Sequence, residues 1–97
     1  MLFIGVDLGT SSVKLVLFDG KSVLRTVRKS YPVFHPQDGW SEQNPEDWYT
    51  AALSGIGKLL HGISAGQVAG ISFSGQMHGL VALDAEGRVI RRAILWN

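Results

Sequence analysis

Cysteine is absent from the 97 residues, so the sequence excludes a disulfide framework and a thiolate metal site. No apolar run approaches the roughly 20 residues of a membrane-spanning helix, and Asp7 interrupts the first run too early for a signal peptide. Charge is nearly balanced at a formal +1, which gives no electrostatic reason to expect nucleic acid. We therefore expect a cytoplasmic protein that binds neither nucleic acid nor a membrane.

The composition that remains is that of an ordinary globular core. Hydrophobic residues make up 45% and charged residues 18% of the chain, and its length allows one domain at most. Apolar runs, tight-turn residues and the helix-start signal Asn44-Pro45-Glu46-Asp47 divide it into elements. In chain order we expect strands at 2–6, 13–18 and 22–31, a loop at 32–43, a helix ended by Gly62 or Gly66, a strand at 67–74, and a hairpin at 80–84 and 88–95.

The order of these elements indicates the fold class. Strand 2–6 is continuously apolar, which predicts burial on both faces, whereas strand 22–31 carries three basic residues, as a protected edge strand does. Three meandering strands followed by a helical crossover to a parallel fourth strand open a ribonuclease-H-like mixed sheet, an α/β architecture. The turns at 9–12 and 75–79 should then share the end of the sheet where such folds bind ligands.

The first of these turns has the composition of a phosphate site. An acid, a glycine and three hydroxyls follow a buried strand, so backbone N–H groups and hydroxyls can meet an anion while Asp7 holds a divalent ion, directly or through water. The alternative is a plain hairpin loop in which Asp7 caps its own backbone. The cofactor-binding candidates are Asp7, Gly9, Thr10, Ser11, Ser12 and Lys14.

The second turn, residues 74–79, places an amide, a thioether and an imidazole at the end of a strand. Gln76 and His78 can both hydrogen-bond a polyol, whose hydroxyls are read well by fixed polar groups. The equally weighted alternative is a satisfied loop histidine with Met77 in the core. His78 has no neighbour at metal-ligand spacing. Trp96 closes an apolar run and is either core or the wall of a sugar site.

Three other aromatic residues cluster around the expected helix start. Trp40 and Trp48 bracket that start and Tyr49 follows directly. We expect this cluster to serve packing, with Trp40 and Trp48 lying across the helix start as a staple does, rather than to stack on a ligand.

Four segments, which together span nearly the whole chain, resemble the FGGY carbohydrate kinase family, within the actin-like ATPase and hexokinase superfamily. Residues 3–14 resemble its first phosphate motif and residues 39–48 its lead into the first helix. Residues 74–79 and 93–97 resemble the members of the family that act on xylulose. Four motifs at compatible spacing are far more specific than any one of them.

The resemblance implies ATP-dependent phosphorylation of a ketose, D-xylulose to D-xylulose 5-phosphate. In that family the position of Asp7 serves Mg²⁺ through water and the ATP phosphates, and the turn from Gly9 lines those phosphates. The positions of Met77 and His78 touch the sugar, with Gln76 beside them, and Trp96 borders the pocket. A gluconate, ribulose or similar FGGY kinase, or a non-enzymatic actin-like protein such as a filament former or sugar-sensing regulator, remains as an alternative.

The family's members are several times longer than this chain. The resemblance therefore implies that residues 1–97 are the N-terminal part of the first, sugar-binding domain, with the nucleotide-binding domain and the aspartate base beyond Asn97. Because phosphoryl transfer needs an oriented nucleophile and a clamped nucleotide, we expect no catalytic residue in the chain and no turnover from it alone. Apolar surface around 68–74 and 80–83 should be exposed and favour a homo-oligomer.

Overall fold

The computed structural model describes residues 1–96, so Asn97 of the last family-like segment lies outside the described residues. The chain folds into a four-stranded sheet, one long helix and a short two-stranded ribbon. In chain order the elements are β1 (Leu2–Leu8), β2 (Ser12–Phe18), β3 (Val23–Ser30), β4 (Glu42–Gln43), α1 (Pro45–Leu59), a 3₁₀ turn (Ala65–Gln67), β5 (Val68–Gly75) and β6 (Ala93–Ile94).

The main sheet has the predicted topology. Its strand order is β3–β2–β1–β5. The β3–β2 and β2–β1 pairs are antiparallel, and β5 is parallel to β1. The basic strand β3 is an edge, as expected. Asp19 closes the β2–β3 turn because its carboxylate accepts the amide N–H groups of Lys21 and Ser22, each at 2.8 Å, and these bonds lower the pKa of Asp19. The sheet therefore follows from local turn chemistry and one crossover.

Helix α1 begins where the sequence predicts and ends slightly earlier. The Asn44 side chain caps the first turn by accepting the amide N–H of Glu46 at 3.1 Å, and Pro45 is the first helical residue. At the other end, the Arg25 guanidinium on β3 donates to the carbonyl oxygens of Leu59 and His61, at 3.0 and 2.7 Å. Helix α1 ends at Leu59, and Gly62 adopts a left-handed conformation (φ +77°) in the turn that follows it. The other predicted terminator, Gly66, was wrong, because it lies in the later 3₁₀ turn.

The core lies on one face of the sheet only. Ile4 and Val6 of β1 are 4% and 3% exposed, whereas Phe3, which precedes them and faces the other way, is 38% exposed, so the prediction that β1 is buried on both faces was wrong. Helix α1 packs against β2 and β3 and covers a single face. Within residues 1–96, no helix is both long and apolar enough to span a bilayer.

The predicted hairpin at 80–95 forms through isolated pairings rather than two continuous strands, and Leu80 bridges Ile94 at its base through backbone hydrogen bonds of 2.9 and 3.0 Å. The Asp84 carboxylate organises the turn by accepting the amides of Glu86 and Arg88, and an isolated bridge joins Leu83 to Val89. Further along, β6 also pairs with β4, inside the stretch that was predicted to be a loop. A long-range interaction explains this pairing.

That interaction joins Glu42 to two arginines. Glu42 is 8% exposed and forms ion pairs with Arg91 and Arg92. The Arg92 guanidinium also stacks 3.8 Å from the centre of the Phe34 ring. A buried carboxylate needs such partners, and supplying them brings the 91–94 segment to β4.

Candidate functional site

The two glycine-bearing turns meet at one end of the sheet, as predicted. The parallel register of β1 and β5 sets Asp7 opposite Ser74 and Leu8 opposite Gly75. The Ser74 hydroxyl donates to the Asp7 carboxylate at 3.0 Å, and the Thr10 hydroxyl donates to the side-chain oxygen of Gln76 at 3.3 Å. Residues 66 positions apart in the chain are therefore in direct contact.

Asp7 projects from the face of the sheet opposite the core. It is exposed, and it pairs in register with Lys14 on β2, which is exposed on the same face. Both line an open groove with Ser72 and Ser74 of β5. The groove thus combines a carboxylate, an ammonium and two hydroxyls, a set that can bind a hydrated divalent cation and the phosphates that accompany it.

Two residues that the sequence did not single out, Tyr31 and Gln43, hold the backbone of the turn after Asp7 by binding its carbonyl groups. The Tyr31 hydroxyl donates to the carbonyl oxygen of Gly9, and the Tyr31 amide donates to the carbonyl of Ser11 at 3.1 Å. The Gln43 side-chain amide donates to the carbonyl of Thr10. Burial, together with the charge of Asp7, raises the pKa of Tyr31 to about 12, so the phenol stays protonated and able to donate.

A cavity of about 200 Å³ lies behind the two turns, on the core side of the sheet. Gln76 and His78 contribute to its wall from the second turn, and Tyr31 and Trp48 contribute from the other side. His78 has φ +64°, a left-handed conformation that a residue with a side chain adopts at a cost. Strain of this kind is concentrated at functional sites.

Two of the sugar candidates do not line this cavity. Met77 is 72% exposed, which excludes the alternative that it belongs to the core, and Trp96 is 68% exposed. Leu95 contributes to the cavity where Trp96 does not. In the aromatic cluster, Trp48 packs against the core as expected, whereas Trp40 and Tyr49 are 51% and 63% exposed, and the staple of Trp40 on Trp48 stays a prediction.

The sequence of the chain matches a known family over nearly its whole length. Residues 2–97 match the sequence model of the "FGGY family of carbohydrate kinases, N-terminal domain". The chain belongs to the FGGY family. It is 48% identical over 95 residues to a xylulose kinase of Staphylococcus xylosus, an alignment that covers 97% of this chain and 20% of that protein.

Solved structures of FGGY kinases share the fold. A "xyloylose kinase" from Brucella ovis matches with a TM-score of 0.93 and 41% identity, over 100% of this chain and 21% of that one. A gluconate kinase from Lactobacillus acidophilus matches with a TM-score of 0.88 and 30% identity, over 99% and 20%. The predicted ribonuclease-H-like, actin-like ATPase fold is confirmed. The chain spans about a fifth of the length of each of these three relatives.

The acids of this FGGY chain do not form a metal site by themselves. Among residues 1–96, no group of three or more histidine or acidic side chains lies close enough to hold a metal ion. Asp7 offers a single carboxylate, one oxygen of which is occupied by Ser74. Mg²⁺ tolerates such sparse ligation because it keeps several waters and takes further oxygens from phosphates. The donor set therefore fits a metal that arrives with a nucleotide.

Proposed function

We propose that the chain is part of an ATP-dependent sugar kinase that converts D-xylulose to D-xylulose 5-phosphate. The observation that carries the proposal is the contact of the two turns: the phosphate-type turn after Asp7 touches, through Thr10 and Gln76, the turn that bears His78. A phosphoryl donor on the first turn and a polyol on the second would lie side by side. Transfer between bound substrates requires that proximity.

In this proposal, the open groove receives the phosphates of ATP and its Mg²⁺. Asp7 holds the metal through water, and Lys14 lies across the β1–β2 pair on the same face, where its charge favours an anion. The metal supplies charge neutralisation of the phosphates. The N–H groups of Thr10 and Ser11 and the hydroxyls of Ser11 and Ser12 donate to the phosphate oxygens. Gly9, whose own N–H closes the turn by donating to the carbonyl of Ser12 at 2.9 Å, lets the backbone approach the phosphates closely.

The sugar is assigned to the second turn. Gln76 and His78 border the cavity and present an amide and an imidazole to its contents. Met77 and Trp96 are exposed and are chain neighbours of residues that line the cavity, so we assign them to the rim of the sugar site. Hydroxyls paired with such fixed groups give selectivity, because a sugar lacking one of them leaves a polar partner unpaired.

We further propose that residues 1–97 are part of the first, sugar-binding domain, and that the nucleotide-binding domain and the catalytic base come from other residues of a longer protein. The support is that relatives of the same family are about five times as long as the matched segment. The cavity lining includes no carboxylate that could act as the base. The 97-residue chain alone is then expected to have no kinase activity. We place the whole protein in the cytoplasm.

The isolated chain also exposes apolar side chains on β5 and after it. Ile71 and Phe73 are 46% and 62% exposed, and Leu80, Val81 and Leu83 are between 42% and 58% exposed. This matches the surface that the sequence predicted to be open. We propose that the isolated chain buries part of this surface by forming homo-oligomers, since leaving apolar surface exposed to water costs a free energy of about 25 cal/mol per Å². Light scattering that shows only monomer at high concentration would contradict this.

The kinase proposal is tested by assaying the whole protein that carries this chain. We expect Mg²⁺-dependent formation of ADP and xylulose 5-phosphate from ATP and D-xylulose, and no product from residues 1–97 alone. Absence of sugar-dependent ADP release with D-xylulose, D-ribulose and D-gluconate would overturn the kinase assignment. Robust metal-dependent product from the 97-residue chain would overturn only the division into domains.

A gluconate kinase is the second candidate. The observation in its favour is that a gluconate kinase shares the fold at a TM-score of 0.88 and 30% identity. Gluconate carries a carboxylate, for which a cationic partner is expected, and the cavity wall offers only the His78 imidazole as a basic group. A higher kcat/KM for D-gluconate than for D-xylulose in the same assay would favour this candidate.

A further inference from the structure

The three carbonyl groups of the phosphate-type turn are all bound from one side. Gly9 and Ser11 are held by the hydroxyl and the backbone amide of Tyr31, and Thr10 is held by the side-chain amide of Gln43. The partners lie 22 and 33 positions away for the two side-chain contacts. A hairpin turn can close without such contacts, so their presence at three consecutive carbonyls needs an explanation.

Peptide geometry provides the consequence of this arrangement. In a trans peptide the carbonyl of one residue and the N–H of the next point in opposite directions, and residues 1–96 contain no cis bond. Fixing the carbonyls of Gly9 and Thr10 toward Tyr31 and Gln43 therefore turns the N–H groups of Thr10 and Ser11 the other way. In residues 1–96, neither of these N–H groups donates to a backbone carbonyl. They are available to an anion.

Both polar atoms of the buried Gln43 side chain are hydrogen-bonded. Its side chain is 0% exposed, its nitrogen donates to the carbonyls of Thr10 and Pro32, and its oxygen accepts the indole N–H of Trp48 at 3.1 Å. A buried amide is costly unless it is fully paired. Gln43 thus ties the turn to the start of helix α1, which is packed into the core.

We propose that Tyr31 and Gln43 are positioning residues that hold the Thr10 and Ser11 amides in the orientation that receives the ATP phosphates. The inference rests on the proposed kinase function and adds two residues to its machinery. Donors that are already oriented bind an anion without the cost of ordering the loop. Neither residue is a catalytic residue, because both act through the backbone of the turn.

The test compares ATP with adenosine, which has no phosphates, in the whole protein. Tyr31→Phe removes the hydroxyl that binds the Gly9 carbonyl and keeps the ring that packs in the core. We expect Kd for Mg-ATP to rise about five- to tenfold, the usual effect of one lost hydrogen bond, while Kd for adenosine stays unchanged. Tyr49→Phe is the matched control, since Tyr49 is 63% exposed and should change nothing.

Gln43→Met is the second variant and should raise Kd for Mg-ATP at least as much. If this buried replacement fails to fold, as circular dichroism would show, Tyr31→Phe alone decides. Unchanged ATP binding in Tyr31→Phe, or an equal loss of ATP and adenosine binding, overturns the proposal while the kinase function stands. A wild-type protein that binds neither ligand overturns the kinase function and the positioning role together.

Discussion

The Ser74 hydroxyl donates to the Asp7 carboxylate across two neighbouring parallel strands, at 3.0 Å. This bond fixes one oxygen of Asp7 and so orients the other toward the open groove. It also joins the strand that precedes the phosphate-type turn to the strand that precedes the sugar-type turn. The contact therefore connects the two halves of the proposed site.

Replacing Asp7 should affect catalysis through the metal. In the whole protein, Asp7→Asn keeps the size of the side chain and removes its charge, so we expect kcat to fall by roughly 10²-fold or more, because an electrostatic group at the reacting phosphates is lost. Ser74→Ala, which removes only the orienting hydroxyl, should lower kcat by about tenfold or less. The measurement is kcat as a function of Mg²⁺ concentration. Full activity of Asp7→Asn at ordinary Mg²⁺ would contradict the role of Asp7.

Removing the strain at His78 should separate stability from sugar binding. His78→Gly relieves the left-handed backbone at φ +64°, so we expect the free energy of unfolding to stay equal or rise by about 1 kcal/mol. The imidazole is lost, so KM for the sugar should rise about tenfold. Chemical denaturation and steady-state kinetics measure the two effects. An unchanged KM would show that His78 does not contact the sugar.

Two glycines of helix α1 form a matched pair for testing the packing. A Cβ at Gly55 would lie 2.4 Å from the Leu15 Cδ1 atom, which is completely buried. Gly55→Ala should therefore lower the free energy of unfolding by about 1 kcal/mol, since overpacking exceeds the gain in helix propensity. Gly57→Ala meets nothing within 4 Å and should raise it by up to about 1 kcal/mol. Urea denaturation distinguishes them, and equal effects would argue against the close helix–sheet contact.

The stability of the chain at alkaline pH should depend on Tyr31. The pKa of Tyr31 is raised to about 12 in the folded state, above its ordinary value of 10.0. The stability that the protonated Tyr31 phenol contributes is therefore fully present below pH 10 and is lost as the pH rises from about 10 to 12. We expect the wild type to lose stability over this range more steeply than Tyr31→Phe. Parallel curves for the two proteins would show that the phenol is not perturbed.

The part of the fold that depends on local signals could be predicted from the sequence. Asn44 and Pro45 mark the start of α1, and Asp19 closes the first hairpin through its own neighbours. The convergence of the two turns followed from chain topology, because a crossover to a parallel strand places both strand ends together. Asp7 and Gln76 were accordingly found at the same end of the sheet.

The errors concern features that depend on distant partners. A continuous apolar run shows that β1 is hydrophobic but not which of its faces the single helix covers. The β4–β6 pairing depends on Glu42 finding cations about 50 positions later. Gln43 has an unremarkable polar side chain in a stretch of polar residues, and only the fold reveals that it is buried against Thr10. No local pattern carries this information.

The most direct test of the account is whether the metal–nucleotide site and the sugar turn are adjacent. Mn²⁺ can replace Mg²⁺ with ATP in the whole protein, and the NMR signals of the histidine rings then report their distance from the paramagnetic ion. We predict strong broadening of His78, abolished by Asp7→Asn, and little broadening of His61, which lies beyond the far end of helix α1. Saturating Mn-ATP that leaves the His78 signal as sharp as that of His61 would contradict the account.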